Sequence, residues 1–127
     1  MKVHLYVFKV LAPVTMACAV SAVLAQAPAK VSNGVLTDPR GMTLYTTDRD
    51  TPNSGKSACN GSCADNWPPL SAKDGDKAQG NYTVITRDDG TKQWAYNGKP
   101  LYVWSKDKKP GDKTGDGVNK VWHAATP

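Results

Sequence analysis

A duplication constrains this chain more than any other feature. Gly41-Met42-Thr43-Leu44-Tyr45-Thr46-Thr47-Asp48-Arg49-Asp50 is matched by Gly98-Lys99-Pro100-Leu101-Tyr102-Val103-Trp104-Ser105-Lys106-Asp107, with every pair 57 positions apart. Past the final Asp each copy enters a polar loop carrying Pro then Gly (Pro52 and Gly55; Pro110 and Gly111). Each loop then reaches a tryptophan, 17 residues on at Trp67 and 15 on at Trp122. Register held through a loop to a Trp marks two copies of one unit, spanning about residues 31–70 and 82–124.

The unit is a β unit. All 11 acids are Asp and none is Glu, while Gly (11) and Pro (9) are frequent, a balance that favours turns over helix interiors. A helical bundle is thereby excluded. Val31 to Thr37 alternates as a strand does; Pro39 and Gly41 occupy turn positions, and Met42 to Thr47 returns as a strand. Tyr82 to Thr86 is β-branched and aromatic, and Asp89-Gly90 and Asn97-Gly98 are hairpin dipeptides bracketing Lys92 to Tyr96. Strands over Pro100 to Ser105 and Lys120 to Ala124 follow. The expectation is mainly β: six strands in a small antiparallel meander of two tandem units, with little helix beyond one turn near Ser62 to Trp67.

Aromatic side chains must supply the core. From residue 28 onward there are four Leu, one Ile and six Val, so Tyr45, Trp67, Tyr82, Trp94, Tyr96, Tyr102, Trp104 and Trp122 carry the apolar bulk. Alternation puts Tyr102 and Trp104 on one strand face, with Leu101 and Val103 on the other. Trp94 and Tyr96 likewise share a face. Core packing is the plain reading of these rings; a stacking platform for sugars or planar ligands is the functional one.

Residues 1–27 have the form of an export signal: Lys2, His4 and Lys9, an apolar run from Val10 to Leu24, and a small-x-small ending at Ala25-Gln26-Ala27. Cleavage after Ala27 leaves one domain, residues 28–127, in the periplasm or outside the cell. Lipid anchoring at Cys18 is the lesser alternative, because residues 19–25 prolong the apolar run that a lipidated cysteine closes. Pro13, Thr15 and Ser21 interrupt a run already short for a transmembrane anchor. Removing Lys2 and Lys9 from the 16 basic residues leaves 14 against 11 Asp, a net +3. A charge so small and so interspersed does not point to nucleic acid.

Separated motifs, in order, carry a family resemblance. Tyr102-Val103-Trp104-Ser105-Lys106-Asp107 has the form Tyr-x-aromatic-x-x-Asp. Cys59-Asn60-Gly61-Ser62-Cys63-Ala64-Asp65-Asn66-Trp67-Pro68-Pro69-Leu70 follows Cys-x-Gly-x-Cys-Ala-x-x-Trp-Pro-Pro-Leu. Residues Pro110 to Gly117, then Val121-Trp122-His123, complete the series. Together they resemble the bacterial secreted-repeat family of unknown function, the predicted lipoproteins with the Tyr-x-aromatic-x-x-Asp motif. The resemblance implies a cell-envelope location and tandem repeats, without an established activity, and marks Tyr45, Asp50, Trp67, Tyr102, Trp104, Asp107 and Trp122 as motif residues. Thr47 stands where the first copy should have an aromatic.

Few residues offer chemistry. Cys59 and Cys63 suit a small disulfide in an oxidising compartment, contributing about 2 kcal/mol by loop entropy. The alternatives are an exchangeable redox pair and a copper site, with Met42 or His123 completing soft ligation; a structural zinc site lacks a third Cys and a second His. His123 is the only histidine past the signal and suits a surface hydrogen bond. No Gly-x-Ser-x-Gly elbow accompanies it, so no catalytic residues are expected. Asp50 and Asp107, at matched strand ends, should anchor their loops by accepting amide hydrogen bonds. Asp107, Asp112 and Asp116 offer oxygens to calcium but not at EF-hand spacing. Asn60-Gly61-Ser62 and Asn81-Tyr82-Thr83 match glycosylation acceptors, which matter only in a eukaryotic secretory route. The function expected is a non-enzymatic binding or accessory module for an envelope partner or small ligand, without a cofactor; copper-binding or thiol-redox chemistry at Cys59 and Cys63 is the alternative.

Overall fold

In a computed structural model, residues 26–127 are described; residues 1–25 of the leader, Cys18 among them, lie outside these. The chain is mainly β, with short strands β1 (Lys30–Ser32), β2 (Val35–Thr37), β3 (Leu44–Thr47), β4 (Ser71–Ala72), β5 (Tyr82–Thr86), β6 (Lys92–Tyr96), β7 (Lys99–Pro100), β8 (Tyr102–Val103) and β9 (Trp122–Ala124). Helix α1 (Ser62–Asn66) and a single 3-10 turn, Val118–Lys120, are the helical elements among the described residues. Every strand pairing is antiparallel. β5, β6 and β7 form the expected meander, whereas the central three-stranded sheet runs β8-β3-β9 and joins distant parts of the chain.

Two expected strands are each broken in two. Val31 to Thr37 is a hairpin turning at Asn33-Gly34, both with positive φ (50° and 81°); the Asn-Gly pair dictates that turn. Pro100 to Ser105 divides into β7 and β8 because Leu101 bends between them to serve two neighbours. Its amide donates to the Trp94 carbonyl (3.0 Å), and its carbonyl accepts from the Leu70 amide (2.9 Å).

The duplication is expressed as an approximate two-fold axis. Tyr45 of β3 lies directly opposite Tyr102 of β8, so the axis passes between equivalent residues. Each copy also lends its last segment to the other's central strand. Ala124 of the second copy pairs with Tyr45 of the first, and Pro69 of the first copy bridges to Tyr102 of the second. The Ala125 amide donates to the Leu44 carbonyl (2.8 Å), as the Leu70 amide donates to that of Leu101. The copies are therefore interlocked rather than strung in series.

Strand alternation divides the interior into two clusters. Leu44 and Leu101, equivalent and fully buried, join Ala29, Leu36 and Ala125 in an aliphatic cluster, against which Val103 and Tyr96 pack. Tyr45 and Tyr102 point the other way, into a cluster with Cys59, Trp67 and Trp122, flanked by Trp104. The second cluster holds most of the motif residues.

Candidate functional site

The hydroxyls of Tyr45 and Tyr102 need partners once buried, and both rings have no measurable exposure. Each partner comes from the other repeat. Tyr45 Oη donates to Asp107 Oδ2 at 2.6 Å, and Tyr102 Oη donates to Asp50 Oδ2 at 2.6 Å. The remaining oxygens hold the loops: Asp50 Oδ1 accepts the Ala58 amide (2.7 Å), while Asp107 Oδ1 accepts the Thr114 amide (3.0 Å) and hydroxyl (2.6 Å). Thus Tyr and Asp of one Tyr-x-x-x-x-Asp motif never bond each other; each closes the opposite copy. Burial first, and then the facing carboxylate, push both phenols well above the ordinary tyrosine range.

Indole rings fill the space between these pairs. Trp67 and Trp122, the loop-closing tryptophans of the two copies, stack at 3.8 Å between centroids and 3° between planes. Trp104 stacks on the other face of Trp67 at 3.9 Å and 29°. Tyr45 meets Trp67 edge-on at 5.4 Å, as Tyr102 meets Trp122 at 5.1 Å; edge-on approach suits ring quadrupoles. Gly115 is required here, since a Cβ would stand 2.9 Å from Trp67 Cη2 and from Cε1 and Cζ of Tyr45. Symmetry fails in the ring stack: Thr47, buried opposite Trp122, occupies the position that Trp104 holds in the second copy. Trp104 is consequently the ring that reaches the surface.

Three buried polar residues with no motif signal complete the site. Arg87 Nη1 donates to Ser57 Oγ (3.1 Å) and Gln93 Oε1 (2.6 Å), and its Nη2 donates to the Cys59 carbonyl. Gln93 Nε2 in turn donates to the Leu101 carbonyl at 2.8 Å. Because the single Tyr102 proton goes to Asp50, Ser57 Oγ must donate across its 2.6 Å contact with Tyr102 Oη. A one-directional wire results, from Arg87 through Ser57 and Tyr102 to Asp50. Nothing in Thr86-Arg87-Asp88-Asp89-Gly90 separates this arginine from an ordinary solvated turn residue. Its burial follows from β6 placing Gln93 beneath it.

Cys59 and Cys63 form a disulfide across the first turn of α1, with 5.2 Å between Cα atoms, and Cys59 is buried against the aromatic cluster. The other residues with ligating atoms lie apart from it. Met42 borders a surface hollow, and His123 Nε2 is paired with Asp48 Oδ2 at 2.8 Å in solvent. Asp112 accepts the Lys108 and Lys109 amides (2.8 and 3.2 Å), and Asp116 accepts the Ala124 amide (3.0 Å). Among the described residues no group of three or more His, Cys, Asp and Glu is arranged to hold a metal, and no helix is long and apolar enough to cross a membrane. Trp94 is buried in β6, Tyr82 and Tyr96 are half-buried against the aliphatic cluster, and Trp104, just past β8, is the half-buried indole of the aromatic cluster. Beside it lies a hollow of about 410 Å³, lined by Arg40, Met42, Val103, Trp104, Lys108 and Pro110 among others. The Lys106 ammonium sits 5.5 Å from the Trp104 ring centre.

Residues 28–71 and 83–126 each match the family described as a secreted repeat of unknown function. The two matched segments correspond to the two interlocked copies. No curated protein matches the chain, and no solved structure does. The motif that gives each unit its signature is thus the one whose tyrosine and aspartate are exchanged between units, and the chain belongs to the secreted-repeat family of unknown function.

Proposed function

We propose that this is an exported, non-enzymatic binding or accessory module: a leader cleaved after Ala27, then one domain over residues 28–127 made of two units. The observation that carries this reading is where the motif residues go. Tyr45, Asp50, Tyr102 and Asp107 spend their hydrogen-bonding capacity on one another and on loop amides, which leaves no free nucleophile or base among them. Beside this cluster the asymmetric Trp104 borders a hollow whose volume is within the range of small-ligand sites. Arg40 is paired with Asp38, and Lys106 and Lys108 outnumber the Asp107 carboxylate that also lines the hollow, so the flat indole favours a small ligand with a planar apolar face and a single negative charge. The family's description as secreted agrees with the leader.

Titration with aromatic acids and acidic sugars, followed by tryptophan emission, tests this. Quenching that disappears in Trp104→Thr supports it; unchanged emission across the panel, or quenching that survives the substitution, refutes it. N-terminal sequencing of the exported protein should begin at Pro28, and a start at a lipid-modified Cys18 would overturn the soluble form. The alternative copper or thiol-redox role requires the Cys59–Cys63 bridge to open first.

A further inference from the structure

Aromatic rings in van der Waals contact couple electronically, and a phenol is readily oxidised only where its proton has somewhere to go. Both conditions are met at each buried tyrosine, and the shorter line from the surface leads to Tyr45. Trp104, partly exposed, stacks on Trp67, which touches Tyr45 edge-on, and Tyr45 Oη already points its proton at Asp107 Oδ2. We propose that Trp104, Trp67 and Tyr45 form a relay that takes single oxidising equivalents from an outer-sphere one-electron oxidant at the surface and holds them at the buried Tyr45–Asp107 pair.

The step balances within the chain and its named oxidant. The oxidant gains one electron from the Trp104 ring; Trp67 refills Trp104, and Tyr45 refills Trp67. As Tyr45 loses its electron, its hydroxyl proton crosses the existing hydrogen bond to Asp107, leaving a neutral tyrosyl radical and a protonated carboxyl. Asp107 is prepared for this: Thr114 occupies Oδ1 twice, which fixes Oδ2 toward the phenol. Two features direct the charge inward. The Lys106 ammonium near Trp104 disfavours a radical cation on that ring, and the packed interior keeps water from the tyrosyl oxygen.

Of the two equivalent tyrosines, Tyr45 is the easier to oxidise. Tyr102 Oη accepts a hydrogen bond from Ser57, itself bonded by the Arg87 guanidinium, and donors on a phenol oxygen resist electron loss. Tyr45 Oη receives only the Gly115 amide at 3.3 Å. The repeat therefore supplies two phenols, and the unmatched residues Arg87 and Trp104 select one of them. This relay stands independently of any ligand at the Trp104 hollow.

Pulse radiolysis of the full chain with azidyl radical, which oxidises tryptophan first, reads the relay directly. The indolyl absorption should decay into the phenoxyl band at a rate independent of protein concentration, and more slowly in D2O. Tyr45→Phe should lose most of the phenoxyl yield, whereas Tyr102→Phe should keep it. Trp104→Thr, which installs the residue of the first copy, should slow the initial oxidation. Tyr6→Phe/Tyr82→Phe/Tyr96→Phe, which spares the cluster, should leave the yield intact and serves where Tyr45→Phe does not fold. An indolyl radical that never yields phenoxyl, a full yield in folded Tyr45→Phe, or a yield lost in the triple variant overturns the proposal.

Discussion

The exchange of partners between repeats makes a sharp energetic prediction. Tyr102→Phe deletes a hydroxyl that bonds a buried carboxylate and accepts from Ser57, while the ring and its contact with Trp122 remain. A hydrogen bond to a charged group contributes about 1.5–3 kcal/mol, so a loss of about 2 kcal/mol is expected. In a domain of this size that lowers Tm by about 10 °C. Asp50→Asn keeps the shape and the Ala58 anchor but removes the charge. In urea unfolding, the cycle Tyr102→Phe with Asp50→Asn should show a coupling of about 1–2 kcal/mol. The cycle Tyr102→Phe with Asp107→Asn, five residues along the same copy, should be additive within about 0.5 kcal/mol. A larger coupling within one copy than between copies would refute the interlocked arrangement.

Raising the pH should expose the same pairs. Both phenols are pushed upward by burial and by their carboxylates, so above about pH 10 the unfolded chain sheds protons that the folded chain keeps. Their stabilising contribution is thus full below that pH and falls as pH rises toward the folded-state values, by up to about 2.7 kcal/mol per unit for two groups, to which the similarly raised Tyr82 adds; the slope should fall by about 1.4 kcal/mol per unit in Tyr45→Phe. Gly115→Ala forces a Cβ to 2.9 Å from the Trp67 and Tyr45 rings and should cost about 1–3 kcal/mol, measurable by thermal unfolding; an unchanged Tm would mean that the cluster is looser than its geometry. Reducing Cys59–Cys63 should lower stability by about 2 kcal/mol, and Cu(I) titration of the reduced protein then separates the two roles: no high-affinity binding leaves a structural bridge, while stoichiometric binding supports the copper alternative.

Much of the secondary structure was legible because turn chemistry is local. Asp89-Gly90 and Asn97-Gly98 bracket β6 as expected, and β5 covers Tyr82 to Thr86. The hairpin at Asn33-Gly34 carries the same signal, masked by the alternation of the residues around it. The site was legible only as a set of names. A duplication shows that Tyr45 and Tyr102 are equivalent, but equivalence does not show that they are neighbours. That follows from β3 and β8 pairing about a two-fold axis, a long-range event with no local mark. Ser57, Arg87 and Gln93 were missed for a related reason: isolated polar residues announce burial only through what the fold places around them.

The interlocking of the copies has an arithmetic consequence. One unit alone leaves a buried phenol without its carboxylate and a central strand without its outer neighbour. Two units close both accounts, and three leave one open again. In this chain the pair is therefore the unit that closes: neither copy can be cut away without stranding the other's buried phenol.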